Sequence, residues 1–226
     1  MICRDAIEGL IAPPPPPSLG LRVVLISDTH GCHRQLQIPD GDVLIHGGDF
    51  TRSGFLEDAE DFNKWLGELS SSHRFQHKIV INGNHEYTAS WKARTAELLS
   101  NATFLRDEAI EIGSGCTRRG LRVHGTEFSW PMKNSRNPTY EAIEGPVDVL
   151  VCHSPVKGYA DDGRGCTELL RLVRRLRPRL VVSGHIHAAH ARVRGTGILA
   201  GTTFVNAANA HKSHTHMGWG PVVVDL

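Results

Sequence analysis

Five short apolar runs, Val23–Ser27, Val43–His46, Ile79–Ile81, Val149–Cys152 and Leu180–Ser183, each lead directly into side chains that bind metals. The runs have the length and composition of buried strands. Their successors are Asp28-Thr29-His30, Gly48-Asp49, Gly83-Asn84-His85, His153 and Gly184-His185-Ile186-His187. Scattered binders would not keep that register. In open α/β sheets the loops at the carboxyl ends of the strands line one crevice, so ligands far apart in sequence meet in space.

Between the runs the chain alternates with helical patterns. Phe55, Ala59, Phe62, Leu66 and Leu69 share one face of a helix, with Glu57, Asp58 and Glu60 near its start where the helix dipole favours acids. A second helix is expected from Trp91 to Leu99 and a third from about Cys166 to Leu176, stopping near Pro178. The arginines of the third, Arg171, Arg174, Arg175 and Arg177, read as a solvated face. Further strands are expected at Ala109–Ile112, Leu121–His124, Thr202–Asn206 and Val222–Val224, some with little helix between them. The pattern predicts a mixed α/β fold, a pair of sheets with flanking helices.

Residues 1–20 carry the run Pro13 to Pro17, which is extended and cannot enter a helix or sheet interior. It is read as a Pro-rich leader to a single domain over 21–226. Of 226 residues, 40% are hydrophobic and 22% charged, the balance of a soluble globular chain. A net charge of +1 gives no basic field for nucleic acid, so duplex binding is not expected. Five widely spaced cysteines without a C-x-x-C pair argue against a disulfide framework and for a cytoplasmic, reducing compartment. No signal peptide or apolar stretch of about 18 residues is present, so no membrane association is expected.

Taken singly, each ligand motif is ordinary turn chemistry: Asp caps turns, and Gly-Asp or Gly-Asn tolerates unusual backbone angles. As an ordered set after five strands, Asp-x-His, Gly-Asp, Gly-Asn-His-Glu, His and Gly-His-x-His resembles the calcineurin-like metallophosphoesterase superfamily over residues 28–187. The flanking segments Ile26–His30, Gly41–Thr51, Phe62–Gly67, Gly83–Glu86 and Gly165–Leu170 are similar to the metallophosphoesterase-domain-containing subgroup. That resemblance implies a four-layer α/β/β/α sandwich of two mixed sheets, with the metal site at the strand C-terminal ends. It also implies a metal-dependent phosphodiesterase acting on a small phosphoester, nucleotide-like and in some relatives a cyclic nucleotide.

By the same resemblance, Asp28, His30 and His187 hold one metal, Asn84, His153 and His185 hold the other, and Asp49 bridges them. His85 faces the substrate as acid or charge stabiliser, and Glu86 orients His85. The charge balance has its own logic: two divalent ions set against two carboxylates and one bridging hydroxide leave about one positive charge to draw in a phosphate. That hydroxide is the expected in-line nucleophile. Oxygen and nitrogen ligands without thiolate suit Mn, Fe or Zn.

Substrate choice is less constrained. The segment between Gly125 and Gly145 is shorter than the subgroup leads one to expect and carries Trp130-Pro131 as its remnant of an aromatic-rich region, and His153 precedes Ser154-Pro155 where relatives often have Gly-Pro. Asn206 and Asn209 are placed near the phosphate. His211, His214 and His216 form a His-x-x-His-x-His cluster without carboxylate or cysteine, read as exposed loop histidines. Two alternatives stay open: a phosphomonoesterase or protein phosphatase, and a slow-turnover metal- or nucleotide-binding scaffold. The oligomeric state is not specified by the sequence.

Overall fold

Alternation along each strand divides the interior into three layers of contact. In β1 (Arg22–Ile26), Val23 and Leu25 face one way and Val24 and Ile26 the other, and all four are buried. A strand buried on both faces must have packing partners on both. The computed structural model describes residues 20–72, 75–113, 120–128, 137–211 and 215–226. The Pro-rich leader, apart from residue 20, lies outside the described residues, as do Trp130-Pro131 and His214.

The elements in chain order are β1, β2 (Val43–His46), α1 (Leu56–Ser72), β3 (His77–Val80), α2 (Asn84–Tyr87), α3 (Thr95–Leu98), β4 (Thr103–Phe104), β5 (Glu108–Ile112) and β6 (Leu121–Gly125). They continue with α4 (Pro138–Ala142), β7 (Val149–Val151), α5 (Thr167–Leu176), β8 (Leu180–Ser183), β9 (Ala191–Arg194), β10 (Thr203–Asn206) and β11 (Val222–Asp225). The first sheet has the order β11-β1-β2-β3-β4 and the second β5-β6-β7-β8-β10-β9. In the first, β1 to β4 run parallel and β11 lies antiparallel against β1. In the second, β6, β7, β8 and β10 run parallel between antiparallel edges β5 and β9.

The central core forms between the sheets: Val23, Leu25, Val43, Ile45 and Ile79 from one meet Val123, Val149, Val151, Leu180, Val182 and Val205 from the other. The outer face of the first sheet, with Val24, Ile26, Leu44 and Val80, is covered by Ala59, Phe62, Trp65, Leu66 and Leu69 of α1. The outer face of the second, with Leu150, Val181 and Phe204, is covered by Tyr140 of α4 and by Leu169, Leu172 and Val173 of α5. Each such fully buried large side chain contributes about 1.5–3 kcal/mol. The result is the α/β/β/α sandwich.

Local departures have local causes. The helix expected from Trp91 to Leu99 is broken into a 3-10 turn at Lys92–Arg94 and the short α3. The Thr95 hydroxyl donates to the Lys92 carbonyl at 2.7 Å and competes with the helical ladder there. The strand expected at Ile79–Ile81 begins two residues early and ends one early, because Gln76 and His77 donate to the Asp42 carbonyl and start β3 at His77. Arg175 is not wholly given to solvent. Its guanidinium donates to the carbonyls of Ile143 and Tyr140, each at 2.7 Å, and ties α5 to α4.

Candidate metal centre

The parallel strands of both sheets point their carboxyl ends to one edge of the sandwich, and every candidate metal ligand singled out above sits there. The first sheet supplies Asp28 and His30 after β1, Asp49 after β2 and Asn84 after β3. The second supplies His153 after β7 and His185 and His187 after β8. Three groups among the described residues have their ligand atoms within 4.8 Å of one another: Asp28, His30 and His187; His30, Asp49 and His85; and Asp49, His153 and His185. Asp49 is common to the last two.

The backbone is bent to achieve this. Asp28, His30, Asp49 and His185 all have positive φ, at 54°, 42°, 57° and 65°. Left-handed backbone at a non-glycine residue costs on the order of 1 kcal/mol or more and persists where surrounding contacts over-determine it. Those contacts are present: Asp28 N donates to Gly48 O at 2.9 Å and His30 N to Asp49 O at 3.1 Å, lacing the β1 and β2 loops together. Two of the glycines that precede candidate ligands show why close approach needs them. A Cβ on Gly184 would lie 2.1 Å from Asp28 Oδ2, and one on Gly83 would lie 2.2 Å from Asp49 Oδ1.

The ring orientations suit a divalent ion. His30 Nδ1 faces Thr51 O at 3.3 Å, His153 Nδ1 faces Gly47 O at 2.8 Å and His187 Nδ1 faces His211 O at 3.3 Å. A carbonyl only accepts, so each Nδ1 carries the hydrogen and each Nε2 is turned inward, free to ligate. Inward, His30 Nε2 and His187 Nε2 lie 3.2 Å apart, with Asp28 Oδ1 3.2 Å from the latter. On the other side Asn84 Oδ1 lies 3.1 Å from His153 Nε2 and 2.8 Å from His185 Nδ1, and Asp49 Oδ2 lies 3.3 Å from His153 Nε2. Two convergent donor sets of imidazole, carboxylate and amide oxygen fit two hard or borderline cations.

Electrostatics agree with the geometry. Burial would raise the Asp28 carboxyl, but the facing His153 and the hydrogen-bonded His187 outweigh it and hold the group well below the usual carboxylate range. Burial would depress His153, yet Asp49 and Asp28 win and push it up to about 10. The cluster is a well of negative potential that favours positive charge at its centre.

Glu86 is the point of correction. Its buried carboxylate accepts from Asp49 N, Gly83 N and Thr51 N, each at 2.9 Å, and from Thr51 Oγ1 at 2.7 Å. These bonds stitch the Asp49 loop to the Asn84 turn; the His85 ring instead faces the Arg52 carbonyl through Nδ1. Glu86 therefore holds the backbone that carries His85 and does not orient its ring by direct contact. His85 Nε2 lies 3.7 Å from Asp49 Oδ2, and its ring stands 4.5 Å from that of His30.

Asn206 and Asn209 are likewise committed to backbone. Asn206 Nδ2 donates to Ala160 O and Ile186 O, while Asn209 Oδ1 accepts from Ser27 N. His211 and His216 stack with ring centroids 5.1 Å apart. Three residues escaped the sequence reading. His46 connects the β1 and β2 loops, accepting from Gly48 N at Nδ1 and facing Thr29 Oγ1 at 3.0 Å through Nε2. Phe128 lies 5.4 Å from the rings of both His153 and His185 and forms an apolar wall. Arg164 lines the cavity of about 300 Å³ that opens over Asp49, Asn84, His85, His185 and His187. A buried polar residue ending a strand was the available signal for His46; Phe128 and Arg164 sit in loops whose path the sequence does not encode.

The profile of the calcineurin-like phosphoesterase family matches residues 21–189. Metallophosphoesterase domain-containing protein 1 of Homo sapiens is 34% identical over 94% of this chain and 73% of its own length. A UPF0046 protein of Caenorhabditis elegans, K07C11.7, is 34% identical over 93% of this chain and 77% of its own. In fold, the crystal structure of TT1561 of Thermus thermophilus superposes with a TM-score of 0.60 at 12% identity, covering 83% of this chain and 88% of that one. Two sheets converging on Asp- and His-rich strand ends, together with these matches, make the chain a member of the calcineurin-like phosphoesterase family of metal-dependent phosphoester hydrolases.

Proposed function

We propose that the protein is a dinuclear phosphodiesterase for nucleotide-like diesters. The observation that carries the reading is Asp49, one buried carboxylate shared between a group with His30 and a group with His153 and His185. Asp28, His30 and His187 would hold one ion and Asn84, His153 and His185 the other, with Asp49 between them. When bound, two such ions lower the pKa of a water between them and draw phosphoryl oxygens into line for attack. Mn, Fe and Zn all suit the donor set.

The chain's own residues do the rest. The carbonyls of Thr51, Gly47 and His211 fix the three imidazoles so that the ligating nitrogens need no reorganisation. His85, with Nδ1 held by the Arg52 carbonyl, presents Nε2 to the cavity. From there it donates a proton to the leaving oxygen or stabilises the charge developing on it. Phe128 keeps water from one side of the site. Among the described residues no helix is long and apolar enough to cross a membrane. The free thiols Cys32, Cys152 and Cys166 suit a reducing, cytoplasmic setting.

The test is turnover of bis(4-nitrophenyl) phosphate and 4-nitrophenyl phosphate by protein loaded with Mn, Fe or Zn, beside His85→Ala. We expect metal-dependent turnover that favours the diester, with the variant keeping its metal and losing rate by about 10²–10⁴-fold. Preference for the monoester would overturn the diesterase reading, and nucleotide binding without turnover of either ester would make the protein a scaffold.

A further inference from the structure

Among the described residues, Arg164 is the one arginine or lysine that lines the cavity over Asp49, Asn84, His85, His185 and His187. It sits on the loop between β7 and α5, far in sequence from every candidate ligand except His153. The loop is built to hold it. Its base is closed by a parallel bridge between Val156 and Cys166, with Lys157 N donating to Cys166 O at 3.1 Å and Cys166 N to Pro155 O at 2.8 Å.

Its tip is organised by the buried carboxylate of Asp161. That group accepts from the amides of Gly158 at 3.0 Å, Gly163 at 3.3 Å and Gly165 at 2.8 Å, while Arg164 N donates to the Asp161 carbonyl at 2.8 Å. Ala160 and Asp162 are held at φ of 49° and 45°, a conformation sparsely populated by non-glycine residues and costly for Ala160 above all. Asn206 completes the frame. Its amide donates to Ala160 O at 3.2 Å and to Ile186 O at 3.1 Å, fastening the loop to the segment between His185 and His187.

Within this rigid loop the guanidinium itself is lightly held. Its ion pair is with Asp162 at 3.1 Å, and both side chains are about 60% exposed. An exposed pair of that kind contributes little and exchanges readily for a better partner. A guanidinium offers a planar fork of donors matched to phosphate or carboxylate.

We propose that Arg164 is a specificity-determining residue that binds a second anionic group on the substrate, a further phosphate or a carboxylate, while the first phosphate occupies the metal centre. The inference rests on the metal-hydrolase reading for the location of that first phosphate. It deepens that reading by naming the substrate class: phosphoesters with a second negative group within reach of the β7–α5 loop.

Calorimetric binding to the metal-loaded protein tests it without relying on turnover, using adenosine 5′-phosphate, adenosine 3′,5′-bisphosphate and 3′-O-succinyl adenosine 5′-phosphate. Wild type is expected to favour one or both doubly anionic ligands over adenosine 5′-phosphate, and which one identifies the second group as phosphate or carboxylate. Arg164→Ala should weaken that ligand about tenfold or more, the strength of a hydrogen bond to a charged group, and change adenosine 5′-phosphate less than twofold. Arg164→Lys should fall between, and Asp162→Asn, which frees the guanidinium, should tighten the doubly anionic ligand.

An equal effect of Arg164→Ala on all three ligands, or none on any, overturns the proposal even if the enzyme hydrolyses diesters. If selective weakening is seen with no ester turned over, the role of Arg164 stands and the hydrolase reading falls.

Discussion

Replacing His46 with leucine tests whether the two loops that carry Asp28, His30 and Asp49 are held by a neutral buried ring. His46 is wholly inaccessible, and burial pushes its pKa down to about 3 from an ordinary 6.5. Since Nδ1 accepts from Gly48 N, the ring is uncharged with its hydrogen on Nε2, directed at Thr29 Oγ1. Leucine of similar size strands the Gly48 amide, at about 1–3 kcal/mol, and removes a second bond of about 1 kcal/mol. The added apolar burial returns about 1 kcal/mol, so the expected net loss at pH 7.5 is about 1–3 kcal/mol.

The sign of the pH effect is fixed by the depressed pKa. Above 6.5 the ring is neutral folded or unfolded; as pH falls toward 3 the unfolded chain takes a proton that the folded ring refuses, and wild type loses about 1.4 kcal/mol per unit. At pH 5 that loss is about 2 kcal/mol, and the leucine variant does not share it. Urea unfolding of the metal-free proteins at pH 7.5 and 5.0 should therefore show a gap that nearly closes at the lower pH. A gap of the same size at both values, or no gap at pH 7.5, would refute the neutral-ring argument. In the metal-bound protein we expect affinity to fall about 10–100-fold, because Thr29 and Gly48 adjoin Asp28 and Asp49.

Three further outcomes are expected. Asp49→Asn should empty both metal positions by elemental analysis, and full occupancy would remove the bridging role. Gly184→Ala places a Cβ 2.1 Å from both Asp28 Oδ2 and Ser27 Oγ. It should cost about 1–3 kcal/mol by overpacking and abolish metal at the Asp28 side, read by thermal midpoint and metal content. Asn206→Ala should lower stability by about 1–3 kcal/mol, since Ala208 N, which now donates to its side-chain oxygen at 3.1 Å, is left without that acceptor. It should also raise hydrogen exchange across residues 157–166; protection equal to wild type would show that the loop does not depend on this tie.

The strand-to-ligand register was readable because it rests on short-range patterns: β-branched runs of four or five residues, then Gly-Asp or Gly-Asn at a sharp turn. Asp49 and Asn84 follow strands in this way, Asp28 comes after Ser27 and His185 after Gly184 at equally sharp turns, and all four lie at the predicted edge of the sheets. What was not readable depends on tertiary partners. The orienting role of Glu86 rests on the family resemblance at its position, but in a one-turn helix adjacent side chains point apart. Apart from Gly83 N, its partners come from the β2 loop, 35 and 37 residues away. Phe128 was passed over beside Trp130, since only the packing of the two histidines after β7 and β8 gives it a role. Arg164 carries no periodic or motif signal at all.

The division of ligands between the two sheets has a consequence for the assembly of the protein. Asp28, His30, Asp49 and Asn84 belong to one half of the sandwich, His153, His185 and His187 to the other, and two of the three convergent groups draw on both. Metal held by the proposed set would be a rivet driven through the seam between the halves: neither half would carry that set alone, so affinity would report whether the sheets are docked. An ion present at a thousand times its dissociation constant adds about 4 kcal/mol against their separation. A chelator would act on this protein as a selective solvent for its central core, loosening the packing of Leu25 and its neighbours across the seam before it disturbs either helical cover.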